Sequence, residues 1–152
     1  MTATASLHRS WTQDIDLTTL YKIFQLRMEV FVVEQACPYA ALDGRDLDQG
    51  TRHLWLEEDG EIISTLRLLE EQEGGVRSFR IGRLCTERSR RGQGHTSRLL
   101  QTALADVGSN LCRIHAQTYL VDMYAKHGFA IDGEEYLLDG VPHVPMKRGG
   151  YR

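Results

Sequence analysis

The stretch CTERSRRGQGHTSRLL, residues 85–100, places four arginines and two glycines directly before an apolar run. A run typical of a β-strand precedes it, and leucines at helical spacing follow it. At such a strand–loop–helix junction, free N–H groups and the helix dipole favour an anion, and glycines let a phosphate approach the backbone. The stretch therefore predicts a phosphate-binding turn, with a solvated basic turn or a nucleic-acid patch as alternatives.

Charge and composition narrow these alternatives. The chain has 152 residues and a net charge of −3, which argues against a nucleic-acid-binding protein. Of its 18 basic residues three are lysines, and the other 15 are arginines, whose planar fork suits phosphates and carboxylates. Three cysteines without CxxC spacing and no hydrophobic leader predict a cytoplasmic protein. No run is long enough for a membrane span, and no motif predicts a metal site.

Periodicity predicts a single domain, residues 1–152, of alternating helices and strands. Apolar residues at helical spacing predict a first helix over 17–35, with Asp16 as N-cap and Pro38 preventing its continuation. The other predicted elements are, in chain order, strands over 52–58, 61–70 and 76–86, a helix over 97–108, a strand over 111–117, a helix over 118–128, and strands over 129–139 and 143–148.

The connections between these elements predict the fold class. Asp59-Gly60 is the strongest kind of short hairpin signal, so the first three strands are expected to be antiparallel. The strand–helix–strand order over 76–117 is typical of a parallel crossover. The chain is therefore predicted to be α/β: a mixed sheet with antiparallel N-terminal strands, a central parallel crossover, a C-terminal hairpin and helices on both faces.

Four segments resemble the GNAT superfamily of acyl-CoA-dependent N-acetyltransferases and, within it, the ElaA-like branch. RIGRLCTERSRRGQGHTSRLL (80–100) is similar to the acetyl-CoA motif of that superfamily, and MYAKHGF (123–129) resembles its Tyr-x-x-x-Gly-Phe element. LRMEVFVVEQACPYAALDGRD (26–46) and DGVPHVPM (139–146) are similar to segments that mark the branch. The resemblance covers roughly residues 17–147. Thr96 departs from the motif, which usually has Gly or Ala there.

The resemblance implies a GNAT fold and direct acetyl transfer from acetyl-CoA to an amine, without a metal. It implies that the backbone of Leu84, Cys85 and Thr86 lies beside the pantetheine arm, and that Tyr124 protonates or stabilises the departing thiolate. It also implies the residues around the pyrophosphate, which are Arg91, Gly92, Gln93, Gly94, His95, Thr96 and Ser97.

The resemblance does not assign the general base, because the strand before the motif reads Phe79-Arg80-Ile81 and has no carboxylate. The candidates are Glu34, His53 and His115, and a chain of water molecules is the alternative. The acidic loop with Asp43, Asp46 and Asp48 is either a receptor for a cationic acceptor or a solvated loop.

The expected acceptor is a small-molecule or peptide amine, and the expected state is a monomer or homodimer. Two other functions remain open. One is an acyltransferase with a longer acyl donor, similar to acyl-homoserine-lactone synthases, which the RMEVF segment (27–31) resembles loosely. The other is a non-catalytic CoA-binding sensor or partner-binding module.

Overall fold

The computed structural model describes residues 5–35 and 42–150, and within them the strands form one mixed sheet. The strands are β1 (Ser6–Trp11), β2 (Arg52–Glu58), β3 (Glu61–Glu73), β4 (Val76–Thr86), β5 (Leu111–Gln117), β6 (Ala130–Ile131), β7 (Tyr136–Leu138) and β8 (Val141–Arg148). The sheet order is β1-β2-β3-β4-β5-β8-β6, and β7 also pairs with β8. The β4–β5 pair is parallel, and the other pairs in this sheet are antiparallel.

Helices cover both faces of this sheet. They are α1 (Leu17–Arg27), which continues into a π-helix (Met28–Glu34), α2 (His95–Val107) and α3 (Val121–Ala125). The apolar face of α2 packs into the main core with the sheet, whereas Leu26 and Val30 form a second cluster with Cys85. No helix of the described residues is long and apolar enough to cross a membrane. The predicted fold class is confirmed, and Cys37 and Pro38 lie outside the described residues.

Two-residue turns with positive φ connect the strands of two hairpins. Asp59 and Gly60 have φ of 51° and 79°, so the predicted tight turn between β2 and β3 is present with both residues left-handed. Asp139 and Gly140, at 51° and 83°, form the same kind of turn between β7 and β8. Two residues with positive φ match the right-handed twist of the flanking strands, which fixes the register on either side.

Beyond small shifts of element ends, the structure differs from the predicted elements in three places. The predicted helix over 17–35 is α-helical only to Arg27, and the next turn is π-helical, with the Gln35 N–H donating to the Val30 carbonyl at 3.3 Å. Residues 129–139 form two short strands instead of one. Strand β1 was not predicted, because only Leu7 and Trp11 of its six residues are apolar and they give little hydrophobic signal.

A β-bulge interrupts β4 opposite β3. Thr65 pairs with Cys85 but Arg67 pairs with Gly82, so β4 contains one extra residue there. Arg83 takes the left-handed conformation, with φ of 53°. The bulge reverses the side-chain alternation, since Phe79 and Ile81 pack in the main core before it and Leu84 does so after it. Beyond the bulge, Cys85 faces the α1 side of the sheet.

Buried charges connect α1 to the sheet. The Arg27 guanidinium is fully buried and donates to the buried Asp46 carboxylate at 2.8 Å, and Arg67 lies 3.5 Å from the other oxygen of Asp46. His53 on β2 is also fully buried, and its Nε2 lies 3.1 Å from the Thr12 hydroxyl. Burial, and then the charge of Arg27, lowers the pKa of His53 to about 4. The imidazole is therefore neutral at pH 7.

Burial of the neutral His53 imidazole predicts that the protein loses stability in mild acid. The unfolded chain binds a proton at His53 near pH 6.5, whereas the folded protein does so only near pH 4. The free energy of unfolding therefore falls as the pH drops from 6.5 to 4, by about 3 kcal/mol from this group. Chemical denaturation of wild type and His53→Gln at several pH values measures the difference in slope. Parallel curves for the two proteins over this range would contradict the assignment.

Candidate active site

A cleft opens in the sheet where β4 and β5 separate. Their parallel pairing includes only residues 78–80 with 111–113, and beyond it a cavity of about 730 Å³ lies between the two strands. Residues 81–86 of β4 line one wall, and Ile114, His115 and Gln117 of β5 line the other. The π-helix and α3 contribute further side chains to the wall. The register of the described strands gives residues 81–86 no partner on the β5 side, so an extended ligand can pair there.

The residues predicted to lie beside pantetheine, Leu84, Cys85 and Thr86, all line this cleft. The Cys85 side chain is buried with Leu26 and Val30, and burial raises the pKa of its thiol to about 12. A thiol with so high a pKa has almost no thiolate at neutral pH and is a poor nucleophile. Cys85 is therefore unsuited to carry an acyl group during transfer.

The arginine and glycine turn lies at one end of the cleft. Gly92 and Gly94 both have φ of 79°, and Gly94 is the N-cap of α2, where no side chain caps the helix. A Cβ at either glycine would meet no atom within 4 Å, so the turn is open on that side. Arg91 and Thr96 line the cavity, and the other predicted pyrophosphate residues lie in the same turn outside its wall: Gly92, Gln93, His95, Ser97 and Gly94.

An ion pair crosses the cleft next to this turn. Arg91 donates two hydrogen bonds to the Glu34 carboxylate, at 2.6 and 2.8 Å, and a third from Nε to the Thr86 carbonyl at 3.1 Å. The hydrogen bonds from Arg91 hold the pKa of Glu34 below its usual value. Glu34 is therefore a weak proton acceptor, and its carboxylate occupies an arginine that an anionic ligand could use.

The other end of the cleft contains two histidines and a tyrosine. The Tyr136 hydroxyl lies 2.6 Å from Nδ1 of His115, and the Tyr136 and His143 rings lie 5.9 Å apart. Burial and the charges of Arg80 and His143 lower the pKa of His115, so its imidazole is neutral at pH 7. The Nδ1 of His143 donates to the Val141 carbonyl at 2.8 Å.

Sequence reasoning missed Tyr136 and His143. The signal for His143 was present in the segment DGVPHVPM, which was used only to recognise the family. Tyr136 had no signal of its own, because its role depends on β7 pairing with β8 opposite His143. Both residues, with His115, line the cleft.

The structure separates one predicted base from the cleft. His53, one of the three candidates for the general base, lies in the buried cluster with Arg27 and Asp46 and does not line the cavity, so the geometry does not support this candidate. Its position at the start of a strand gave no indication of which side the ring would face. Its lowered pKa reflects burial among charged groups outside the reaction site.

Tyr124 lies on α3 and lines the cleft with its ring 6.0 Å from that of Phe129, edge to face. Burial raises the pKa of its hydroxyl, so the group stays protonated across the physiological range. No hydrogen-bond partner for this hydroxyl occurs among the described residues, which leaves it available to a bound ligand. The described residues also contain no cluster of three or more side chains suited to a metal ion.

The acidic loop was expected either to receive a cationic acceptor or to be solvated, and its carboxylates are paired with arginines. Arg67 donates to both oxygens of Asp43 at 2.8 and 3.1 Å, and Asp46 is buried against Arg27. Asp48 accepts a hydrogen bond from Arg45 at 3.3 Å. These three carboxylates are therefore largely neutralised by groups of the protein itself.

Comparison with known proteins agrees with this geometry. Residues 14–149 match the acetyltransferase (GNAT) domain family. The chain is 62% identical over 148 residues to a UPF0039 protein of Mycobacterium tuberculosis, covering 97% of this chain and 95% of the relative. It is 34% identical to the protein ElaA of Escherichia coli over 146 residues, with 93% of each chain covered.

Solved structures give the same result. An acyl-CoA N-acyltransferase from Pseudomonas aeruginosa is 38% identical, with a TM-score of 0.85 over 95% of this chain and 99% of that one. The crystal structure of Escherichia coli ElaA superposes with a TM-score of 0.86 at 30% identity, over 95% and 99% of the two chains. The chain therefore belongs to the GNAT acetyltransferase family, in its group of ElaA relatives.

The Glu34–Arg91 pair predicts opposite effects of two substitutions on CoA binding. Glu34→Gln removes a negative charge beside the turn and frees Arg91, so the Kd for CoA should fall roughly threefold to tenfold. Arg91→Ala should raise the Kd roughly tenfold, as expected for the loss of a charge-assisted bond. Isothermal titration with CoA measures both. Glu29→Gln, an exposed change on the same π-helix, is the control, and weaker binding by Glu34→Gln would contradict the proposed competition.

Proposed function

We propose that this protein is an acetyl-CoA-dependent N-acetyltransferase that transfers an acetyl group directly to the primary amine of a small molecule or peptide. The observation that supports this most is the cleft between β4 and β5, which joins the glycine turn at the start of α2 to the neutral imidazole of His115. The half of the cleft beside the glycine turn suits a donor with an anionic end and an extended arm. The half beside His115 suits an amine acceptor, because the neutral imidazole can act as a base.

Donor binding uses mainly backbone groups. The pyrophosphate would accept hydrogen bonds from the free N–H groups of the turn over 92–97, with Arg91 beside it. The pantetheine arm would pair with residues 84–86 of β4 in the manner of an added strand. The thioester would then lie near the bulge, between the two strands, where the apolar side chains of Leu84, Leu120 and Met123 line the cavity.

The acceptor must lose a proton before or during attack, and His115 is the proposed base. For Nε2 of His115 to accept this proton, Nδ1 must carry a hydrogen and donate it to the Tyr136 oxygen. The distance of 2.6 Å between Nδ1 and that oxygen allows this hydrogen bond. The new bond forms between the amine nitrogen and the carbonyl carbon, and the carbon–sulfur bond breaks. The electron pair leaves with the CoA sulfur as thiolate.

Tyr124 is proposed to stabilise this thiolate by donating a hydrogen bond. Its raised pKa exceeds that of a thiol, so stabilisation of the developing charge is favoured over complete proton transfer. Direct transfer is preferred over an intermediate linked to either cysteine of the described residues, because burial raises the thiol pKa values of Cys85 and Cys112 to about 12. The free thiols suit a reducing compartment, so we place the reaction in the cytoplasm.

The proposal is tested by release of CoA thiol from acetyl-CoA and longer acyl-CoA donors across a panel of amines. Turnover with acetyl-CoA as the best donor supports it. Preference for long acyl donors would favour the lactone-synthase-like alternative. Tight CoA binding with no turnover on any amine would favour the sensor alternative.

Tyr124→Phe separates a catalytic hydroxyl from a structural ring. The ring keeps its packing against Phe129, so the Kd for CoA should stay within about twofold while kcat falls roughly 10²-fold. Steady-state rates on a proven acceptor, together with titration of CoA, give both quantities. Tyr21→Phe, an exposed tyrosine on α1 outside the cleft, serves as the matched control. Full kcat in Tyr124→Phe would show that the hydroxyl has no part in the reaction.

A further inference from the structure

A second cavity of about 660 Å³ adjoins the central cleft on the acceptor side. We name it the arginine groove after the four arginines in its wall, Arg45, Arg67, Arg80 and Arg83. Three of these arginines and His115 line both cavities, so the groove begins where the proposed base lies. A ligand whose amine reaches His115 therefore extends past these guanidinium groups.

The carboxylates of the arginine groove are already shared between arginines. Asp43 accepts hydrogen bonds from both Arg67 and Arg83, and Glu71 accepts from Arg80 at 2.9 Å and from Arg45 at 3.0 Å. Burial alone would raise the pKa of Asp43, but hydrogen bonds from Arg67 and from the backbone lower it to about 2. Each carboxylate thus lies between two guanidinium groups, whose combined charge exceeds that of the carboxylate they share.

The remaining acidic side chain of the groove is also engaged. Glu70 accepts a hydrogen bond from Arg77 at 2.8 Å and one from Arg52 at 3.5 Å, and neither arginine lines the groove. The wall therefore has four guanidinium groups and three carboxylates, a surplus of one positive charge, and the outside arginines on Glu70 are matched by the outside carboxylates Asp48 and Asp46 beside Arg45 and Arg67. Because a guanidinium has five N–H donors, the surplus of positive charge is accompanied by a surplus of donors.

Burial strengthens the effect of this surplus positive charge on a neighbouring ligand. The Arg67 side chain is only 4% exposed, and its Nε has no hydrogen-bond partner among the described residues. A charge removed from water acts on a neighbouring ligand through a lower effective dielectric than an exposed one. The same field raises the free energy of an ammonium ion at His115, so it favours the neutral, nucleophilic form of the amine.

We propose that the arginine groove binds an anionic group of the acceptor. The acceptor is then an amine that also carries a carboxylate or phosphate-type group, and diamines and polyamines are poor substrates. This inference rests on the proposed function, since it places the acceptor amine at His115. The substrate class follows from the arginines that would contact the end of the acceptor opposite to its amine.

A series of amines of equal length tests this proposal. Butylamine, 4-aminobutyrate, 3-aminopropylphosphonate and putrescine differ mainly in the charge at the remote end, and homologues with two to six carbons allow for the unknown span. The kcat/KM with acetyl-CoA should be at least tenfold higher for the best anionic amine than for the matching alkylamine, and lowest for the diamines. The carboxylate and phosphonate members distinguish the two kinds of anion. Diamines as the best substrates would overturn the proposal.

Two arginines of β4 provide a matched pair of variants. Arg80→Gln removes a guanidinium that lines the groove, whereas Arg77→Gln removes one that binds Glu70 outside it. Arg80→Gln should reduce the preference for the anionic amine, measured as the ratio of its kcat/KM to that of the alkylamine, roughly tenfold, and Arg77→Gln should keep this ratio. Arg45→Gln replaces Arg80→Gln if the latter does not fold. An unchanged preference in a folded groove variant would overturn the proposal.

Calorimetry tests anion binding in the arginine groove independently of the proposed acetyl transfer. The CoA complex is titrated with the same amino acids and phosphonates, without turnover. If no amine is acetylated but the anionic ligands bind in a manner that Arg80→Gln abolishes, the groove inference stands and the transferase proposal fails. If amines are acetylated without regard to the remote charge, the transferase proposal stands and the groove inference fails. Absence of both binding and preference contradicts the groove inference directly.

Discussion

Parallel pairing between β4 and β5 lasts for three residue pairs, and the cleft exists because the pairing stops there. The bulge at Arg83 supplies a physical reason: an extra residue in β4 bends and twists the strand, while β5 stays paired to β8 on its other side. The edge of β4 that would have bonded to β5 is left facing the cavity. The cleft, and with it the access to His115 on β5, therefore depends on one irregularity in a single strand.

Arginines hold the elements around this cleft in place. The π-helix begins beside the buried Arg27–Asp46 pair and ends at Glu34, which is bound to Arg91 across the cleft. A buried ion pair contributes less net stability than its Coulomb energy suggests, because both groups lose water, but it fixes the relative position of the two segments. The π-helix is thus fastened at both ends, and its Val30 and Phe31 side chains are presented to the cleft between these two points.

The sequence predicted those parts of the molecule in which local chemistry decides the structure. The turn at Asp59-Gly60 and the strand over 111–117 could be predicted because turn residues and alternation act within a few residues. The change from α-helix to π-helix after Arg27 could not, since no glycine or proline marks it in the sequence over 26–35. For the site, the glycine turn and Tyr124 carried motif signals. The pairing of Tyr136 with His115 and the burial of His53 arise only from strand register.

Net charge is a poor guide to the charge of the site. The chain carries −3 overall, yet positive groups concentrate at both ends of the cleft, at the Arg91 turn and in the arginine groove, with apolar side chains between them. Low-dielectric walls of this kind focus the field along the cavity. In the proposed reaction, an anionic donor and an anionic acceptor would enter from opposite ends, each held by its own arginines. The field of the arginine groove would disfavour an ammonium ion at His115 relative to a neutral amine, so the groove proposed to select the acceptor would also favour the protonation state in which that acceptor can react.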